Sequence, residues 1–341
     1  MGPAGRPHRQ AAIGIFTRAD DPHADVVASL LSEREIRFVR LDPGALPAHA
    51  MVSARFSSGQ FASSFATDGR VVDLTSLAVV WWRRPSPPTA DGRLDEQTAR
   101  SVREESAVVL ADLWAALPCA WVPTSPAALG ARHKISHLVL AQAVGFELPS
   151  TVVTNDPHEL LELYRETEGA LISKRAGSSF LSGRDSPFCR YTEVVSPRDI
   201  GYARAARYSP TIFQAYVPKR SEIRVTVVGK RIFAVEIDSQ ASNHSRHDWR
   251  RYDYLQTPYR PHDLPLEVEA RCLELLRRLD LCFGAIDLIL TPDDEYVFVE
   301  LNPNGQYLWL EEATGLPISD AVCDLLVELA GGGSSPDSST A

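Results

Sequence analysis

Three oxygen-bearing side chains near the end of the chain stand at strand spacing: Asp287, Glu300 and Asn302. Side chains alternate between the two faces of a strand, so Glu300 and Asn302 share a face. A hairpin that turns between Asp293 and Asp294 pairs Asp287 with Glu300 on that face. Two carboxylates about 4 Å apart repel by roughly 4 kcal/mol at an effective dielectric of 20, which a bound cation relieves. Because Asp, Glu and an Asn carbonyl are hard oxygen donors, the pattern predicts a magnesium site.

The alternative interpretation of this hairpin is a solvated acidic strand face beside an unrelated turn. Apolar residues at the intervening positions are expected to bury the opposite face, which favours the metal site. These residues are Ile286, Leu288, Val297, Val299 and Leu301.

Lysine is scarce, with four lysines among the 35 Lys and Arg residues. Two of the four, Lys174 and Lys134, are candidate functional residues because of the segments in which they lie. Lys174 ends a predicted strand (170–174) that leads into a small-residue loop containing Gly177, Ser178 and Ser179. Such a loop exposes backbone N–H groups that can lie close to phosphates. Its spacing is not that of a P-loop. Lys134 lies on a predicted helix, and by itself this position indicates only a solvated lysine.

Two further strands could contribute to the same site. The segment 211–217 is a short apolar strand that joins two parts of the chain, a suitable place for a backbone clamp on adenine. Glu222 and Arg224 share one face of the next predicted strand.

The elements that must position these residues alternate between helices and strands, which predicts an α/β (α+β) fold. With roughly 150 residues per domain, a chain of 341 residues suggests two or three domains. We expect an N-terminal α/β domain over 1–122, a central domain over 123–210 and a C-terminal domain over 211–330. The Gly- and Ser-rich end, 331–341, is expected to be disordered.

Composition excludes several classes of protein. A net charge of −9 argues against a nucleic-acid partner, because phosphate contacts need clustered cations. No apolar run approaches the roughly 20 residues that span a bilayer, so no membrane partner is expected. Five cysteines without C-x-x-C spacing indicate a reduced, cytoplasmic protein.

Taken in order, the motifs resemble the ATP-grasp superfamily. The matching order is a helix lysine (134), a strand lysine before a flexible loop (174), the hinge QAYV (214–217), E-x-R (222, 224) and D…E-x-N (287, 300, 302). The resemblance implies a pre-ATP-grasp domain, a central lid domain and a C-terminal ATP-grasp domain. It also implies that Asp287, Glu300 and Asn302 hold two Mg²⁺ ions. The implied ATP-binding residues are Lys134, Lys174, Gly177, Ser178, Ser179, Gln214, Ala215, Tyr216, Val217 and Glu222.

A narrower resemblance is to the microviridin-type graspetide synthetases. It rests on WWRRP (81–85), FQAYVPKRSEIRVTVVG (213–229), HDWR (247–250) and FVELNPNGQYLWLEEATGLPI (298–318). Enzymes of this family macrocyclise a ribosomally made precursor peptide, which consists of a leader and a core. They activate Asp or Glu side chains as acyl phosphates and join them to Ser or Thr hydroxyls as esters, or to Lys amines as amides. The resemblance therefore implies ATP and Mg²⁺ as cofactors, a precursor peptide as partner, and a homodimer.

Within this family resemblance, three arginines are candidates for catalytic roles. Arg224 can brace an acyl phosphate with its planar fork, while Arg246 and Arg250 can hold acidic residues of the core peptide. His247 and Asp248 are candidates for a general base or for substrate contact. A polar surface loop is the alternative interpretation of that segment.

Arg83 and Arg84 end a predicted strand and also allow two interpretations. They could contact the leader peptide, or they could form a packed strand end that is salt-bridged across a domain interface. Strand alternation predicts that one of the preceding residues, Trp81 or Trp82, is exposed.

Two other functions stay open at this stage. One is an ATP-grasp ligase that adds amino acids to a protein C-terminus or joins small metabolites. The other is a nucleotide-dependent binding or scaffold protein on an inactive ATP-grasp fold. The complete D, E and N set with both lysines favours an active enzyme.

Overall fold

A computed structural model of the protein describes residues 12–130, 134–175, 180–181, 188–189, 192–238 and 258–331. The strands among these residues are β1 (Ala12–Thr17), β2 (Phe38–Leu41), β3 (Ala50–Ser57), β4 (Gln60–Thr67), β5 (Arg70–Asp73), β6 (Leu77–Arg84), β7 (Ala120–Val122), β8 (Thr151–Thr154), β9 (Leu171–Lys174), β10 (Phe180–Leu181), β11 (Phe188–Cys189), β12 (Glu193–Val194), β13 (Thr211–Ala215), β14 (Ser221–Val228), β15 (Arg231–Ile237), β16 (Tyr259–Pro261), β17 (Phe283–Leu290) and β18 (Tyr296–Asn302).

The described residues also form α-helices. They are α1 (Pro22–Glu33), α2 (Glu96–Ala116), α3 (Pro126–Gly130), α4 (Lys134–Ala143), α5 (Pro157–Glu166), α6 (Pro197–Ile200), α7 (Leu266–Arg278), α8 (Leu308–Thr314) and α9 (Ile318–Ala330). Over the described part of the chain, none of them is both long and apolar enough to cross a membrane.

The N-terminal part of the chain forms a parallel sheet in the order β2-β1-β6-β7. One face packs against α1 and the C-terminal helix α9, in a core that includes Ile15, Val27, Trp81 and Val322. The other face packs against α2 and the small antiparallel sheet β3-β4-β5. Helix α9, the last helix among the described residues, therefore shares a core with the first described strands.

Both tryptophans at the end of β6 lie in packed surroundings. Trp81 is fully buried, whereas Trp82 is half-buried, with its ring tilted against Phe16 at 6.2 Å and edge-on to Trp114 and Trp121 at 6.0 Å. The prediction that one of the two would be exposed is met only in part, because α2 and β7 cover much of the outer face of the sheet.

The central part of the chain is built on an antiparallel sheet in the order β12-β9-β13-β8, covered by α5. Asp156 caps α5 by accepting from the His158 N–H, and Pro157 occupies the first turn, where its missing N–H costs nothing. Leu160 and Leu163 then pack on Phe213 of the sheet. This packing holds β9 and β13 side by side, with Lys174 opposite Ile212.

The largest sheet is antiparallel, in the order β16-β15-β14-β17-β18. Helices α4 and α7 cover one face, where Val225, Ile286 and Leu276 are fully or almost fully buried. The opposite face carries Arg224 and Asp287. One face of this sheet is therefore core, while the other packs against α9 through Val228 and Phe283 at one end and carries charged side chains at the other.

The predicted helix that carries Lys134 is described as α3 and α4, with residues 131–133 outside the described residues. Helix α8 was not predicted. It begins directly after the loop that leaves β18, and Trp309 on it contacts the ring of Tyr259 edge-on at 5.1 Å.

Candidate active site

Three charged side chains form a row across the open face of the large sheet. Arg224 on β14 pairs with Asp287 on β17, and Asp287 pairs with Glu300 on β18. Arg224 Nη1 donates to both oxygens of Asp287, at 2.7 and 2.8 Å. The protein itself thus provides a counter-charge for one of the two carboxylates.

Glu300 and Asn302 lie side by side at the end of the same row. Asn302 Nδ2 donates to Glu300 Oε1 at 3.0 Å. Lys134 Nζ lies 3.8 Å from Glu300 Oε2 and donates to the backbone oxygen of Arg175 at 3.2 Å. The structure therefore brings the helix lysine, the acidic hairpin and the start of the small-residue loop into one place.

A β-bulge sets the register of this hairpin. Leu290 pairs with Tyr296 and Leu288 with Phe298, but Asp287 pairs with Glu300, so Val299 is the extra residue. Without the bulge, the register from the turn would place Asp287 opposite Val299. The predicted pair Asp287–Glu300 is confirmed. The turn is centred slightly earlier in the chain than predicted, and the extra residue of the bulge restores the predicted pairing.

The bulge also changes which apolar residues face the core. Phe298 is fully buried under α4 and α7, whereas Val299 lines the cavity on the open face beside Lys174. Val297 pairs with Ile289, which lines the same cavity. The prediction that Val297 and Val299 lie on the core face is wrong, while Ile286, Leu288 and Leu301 are buried there as expected.

Two adjoining cavities lie between the central sheet and the large sheet. Lys174, Gln214 and Val299 line both of them. Lys134 and Glu300 line the first cavity only. The two predicted phosphate lysines and the acidic hairpin therefore face one cleft.

The hinge lines the second cavity through Ala215, Tyr216 and Val217. The N–H groups of Ala215 and Tyr216 are already engaged, because they donate to the backbone oxygens of Ser150 and Ala170 at 2.8 Å. Gln214 is almost fully buried and donates to Thr151 Oγ1 at 3.0 Å. Its Oε1 is buried without a hydrogen-bond partner among the described residues. An incoming ring must therefore use other hinge atoms than these two N–H groups.

Lys219 is a residue of the cleft that the sequence did not identify. Its ammonium forms an ion pair with Glu222, and it lines the second cavity. The sequence contained an indication of this pair, because an acid and a lysine three residues apart at a strand end can form an ion pair. The pair was not predicted because Lys219 lies at a turn, outside the periodic pattern of a helix or strand.

Several predicted site residues lie outside the described residues. They are Gly177, Ser178 and Ser179 of the small-residue loop and Arg246, His247, Asp248 and Arg250 of the later loop.

Arg83 and Arg84 have different surroundings. The Arg83 side chain is 1% exposed, and its Nη1 donates to the backbone oxygen of Asn304 at 2.8 Å. Arg84 is half-buried, and the pKa of its guanidinium is lowered, mainly by burial. The surroundings of Arg83 agree with the interpretation of a strand end tied across an interface.

The loop after β18 approaches the site closely at Gly305. A Cβ atom there would lie 2.3 Å from Ala285 Cβ and 2.9 Å from Arg224 Nη2. Arg224 Nη2 also donates to the backbone oxygen of Gln306 at 3.2 Å. Only glycine lets the backbone approach Arg224 this closely.

A histidine from the N-terminal domain caps the next helix. His23 Nε2 accepts hydrogen bonds from the N–H groups of Tyr307 and Leu308, both at 3.1 Å, at the start of α8. This acceptor role requires the neutral ring. Burial lowers the pKa of His23 from its ordinary value of 6.5. Asp21 beside the ring raises this pKa and the charges of Arg83 and Arg84 lower it.

We expect the free energy of unfolding to fall as the pH drops below about 6.5. Below this pH His23 is protonated in the unfolded chain, whereas its lowered pKa keeps it neutral in the folded protein. The slope from this one group is about 1.4 kcal/mol per pH unit while only the unfolded chain holds the proton. Urea unfolding between pH 7.5 and 5 measures it. Other groups titrate in the same range, so the His23 contribution is the difference between the wild type and His23→Gln, whose amide oxygen accepts at any pH. Equal pH dependence in the two proteins would contradict this assignment.

Comparison with known proteins adds to this geometry. Residues 13–127 match the family model described as the MvdD pre-ATP grasp domain. A search of curated proteins finds no match. Among solved structures, macrocyclase MdnB from Microcystis aeruginosa MRC is 31% identical with a TM-score of 0.78, over 93% of this chain and 99% of MdnB. The chain belongs to the ATP-grasp ligase family of MdnB.

Two other ATP-grasp ligase structures are similar over 93% of this chain. The RiPP-associated ATP-grasp ligase from Chryseobacterium gregarium, in complex with ADP and a leader and core peptide, is 28% identical with a TM-score of 0.86 over 96% of its length. Macrocyclase MdnC from Microcystis aeruginosa MRC, bound with precursor peptide MdnA, is 25% identical with a TM-score of 0.82 over 99% of its length. The predicted ATP-grasp fold and ligase class are confirmed.

Proposed function

We propose that this ATP-grasp ligase macrocyclises a ribosomally made precursor peptide by joining Asp or Glu side chains to Ser or Thr hydroxyls or to Lys amines. The observation that carries the proposal is the row Arg224–Asp287–Glu300, whose last member, Glu300, lines the same cavity as Lys134 and Lys174. The relatives support it, because MdnB and MdnC are macrocyclases and MdnC binds a precursor peptide.

The donor chemistry of the cleft fits Mg²⁺ and ATP. Asp287, Glu300 and Asn302 offer carboxylate and amide oxygens, the ligands that Mg²⁺ prefers. When bound, Mg²⁺ neutralises charge on the phosphates of ATP. On the protein side, Lys134 and Lys174 place ammonium groups beside that position as point charges.

The second cavity is our candidate for the adenine end of the nucleotide. Val217 is our candidate for the hinge N–H that donates to the ring, because the amides of Ala215 and Tyr216 are used within the protein. The buried Oε1 of Gln214 is a candidate acceptor for an exocyclic amine. Ala215 stands where many ATP-grasp enzymes carry an acid, and recognition by the backbone explains why that change is tolerated.

Arg224 is our candidate for the group that acts on the substrate carboxylate. Its Nη1 is held by Asp287 and its Nη2 by the Gln306 oxygen, so the guanidinium keeps one orientation. A planar fork in a fixed orientation stabilises charge as it spreads over a transferring phosphoryl group. Holding the nucleophile and the activated carboxylate together then converts ring closure into an intramolecular step.

Arg84 is our candidate from β6 for contact with an acidic residue of the peptide, because Arg83 is enclosed. Arg246, His247, Asp248 and Arg250 stay proposals for substrate binding or proton transfer. The domain boundaries, the homodimer and a cytoplasmic location, where ATP and newly made peptide meet, are proposals as well.

The mass of the product tests this function. Incubating the protein with a precursor peptide encoded beside its gene, ATP and Mg²⁺ should lower the peptide mass by one water molecule for each bond formed. Addition of amino acids to a C-terminus, the enzymatic alternative, would raise the mass. Peptide binding without ATP use would instead identify a scaffold. Omitting ATP is the control, and either alternative outcome would overturn the macrocyclase proposal.

A further inference from the structure

A buried polar cluster ties the carboxyl end of β6 to the loop that follows β18. Arg83 Nη1 donates to the Asn304 oxygen at 2.8 Å. In return, Asn304 Nδ2 donates to the backbone oxygens of Trp82 and Arg83, at 2.9 and 2.6 Å. Strand and loop therefore hold each other by main-chain and side-chain bonds in both directions. Because Asn304 takes part in each of these bonds, one residue of the loop carries the whole contact.

The charge of Arg83 is fixed inside this contact. Its Nε lies 3.7 Å from Asp21 Oδ2, and Asp21 in turn accepts from Thr17 Oγ1 at 2.7 Å. Burial lowers the pKa of Arg83 to about 10, so the guanidinium remains charged at neutral pH. A buried charge held at two places is a rigid anchor for the oxygen that it binds.

The anchored loop carries two groups of the proposed site. Asn302, a proposed metal ligand, lies two residues before Asn304, and its backbone oxygen accepts from the Gly305 N–H at 3.1 Å. Gln306, two residues after Asn304, holds Arg224 through its backbone oxygen. A shift of Asn304 therefore moves a proposed metal ligand and the support of Arg224 together.

We propose that Arg83 is a positioning residue, which fixes the loop 302–308 so that Asn302 and Arg224 keep the arrangement that Mg²⁺ and the substrate carboxylate need. The inference rests on the proposed function in taking Asn302 as a ligand of Mg²⁺ and Arg224 as the group that acts on the substrate carboxylate. Groups that orient metal ligands typically change metal affinity 10–100-fold when they are replaced. The N-terminal domain thus acts on the site without touching the substrate at this position.

Three variants test the coupling: Arg83→Lys, Asn304→Ala and the double variant. Lys keeps the charge, but its single ammonium cannot reach both Asp21 and the Asn304 oxygen. The matched control is Arg70→Lys, at an exposed arginine on β5. Thermal unfolding shows which variants are folded, and Asn304→Ala carries the test by itself should Arg83→Lys fail to fold.

Two measurements need no peptide. Hydrogen exchange of the nucleotide-free protein should be about tenfold faster over 302–308 in each single variant. The affinity gained by ADP when Mg²⁺ is added should fall about 10–100-fold, while ADP affinity without Mg²⁺ stays within about twofold. Because the two residues act through one contact, the double variant should be no worse than the worse single variant.

Unchanged exchange over 302–308, additive effects in the double variant, or an equal loss of ADP affinity with and without Mg²⁺ would each overturn the inference. These results are independent of macrocyclisation. A wild type that binds Mg²⁺ and ADP as described but leaves every peptide unchanged would contradict the proposed function and leave the role of Arg83 standing.

Discussion

Replacing Glu300 with Gln is expected to lower ATP turnover and peptide modification by about 10²–10³-fold. Gln keeps the size of the side chain and still accepts the hydrogen bond from Asn302, so the hairpin should keep its form. What is lost is the negative charge, which lies 3.8 Å from the Lys134 ammonium and opposite Asp287. One carboxylate ligand of the proposed Mg²⁺ site is removed without a change of shape.

Release of ADP and the mass of the peptide measure the two activities, and ADP affinity with and without Mg²⁺ separates metal binding from nucleotide binding. Glu295→Gln is the matched control, since Glu295 is exposed near the turn of the same hairpin. Turnover of Glu300→Gln at the wild-type rate would show that Glu300 is not a metal ligand.

Gly305→Ala is expected to have the second large effect. The added methyl would lie 2.3 Å from Ala285 Cβ, 2.9 Å from Arg224 Nη2 and 3.3 Å from the Asn302 oxygen. Overpacking of this kind costs about 1–3 kcal/mol of stability. Because Arg224 and Asn302 must also move, activity should fall by about 10²-fold, the typical effect of a displacement of about 1 Å. Urea unfolding and ATP turnover measure the two effects.

The matched control is Gly92→Ala, where a Cβ atom meets nothing within 4 Å. Adding Ala285→Gly to Gly305→Ala removes the closest contact, so this double variant should recover stability while part of the activity loss persists through Arg224. Wild-type stability and activity in Gly305→Ala would mean that the loop does not approach the sheet as described.

The acidic hairpin shows which features of the site could be predicted from the sequence and which could not. Alternation predicts that Glu300 and Asn302 share a face, and the pair Asp287–Glu300 is present. The bulge at Val299 could not be predicted, because it depends on which side chain fits under α4 and α7, and Phe298 fills that space. The sequence therefore identified the acidic residues correctly and misplaced the apolar ones beside them.

For Arg224 and Arg83, too, the sequence predicted the position but not the binding partners. The sequence placed Arg224 in the site and Arg83 at a strand end, but it did not reveal what either one binds. Arg83 reaches Asn304, 221 residues later, and His23 reaches Tyr307, 284 residues later. Contacts at such separations leave no local pattern, because they depend on how two sheets pack against shared helices.

By itself, the sequence determined the ATP-grasp order of motifs, the side chains that share a strand face and the lysines that enter the cleft. The shared strand faces follow from strand periodicity, which acts over a few residues, whereas the order of motifs and the two lysines were identified through the family resemblance. Only the tertiary structure decided that Arg224 neutralises Asp287, that Gly305 admits the loop and that Arg83 is enclosed rather than exposed. The physical reason is that burial and hydrogen-bond partners are fixed by packing between distant segments, and packing is a property of the whole fold.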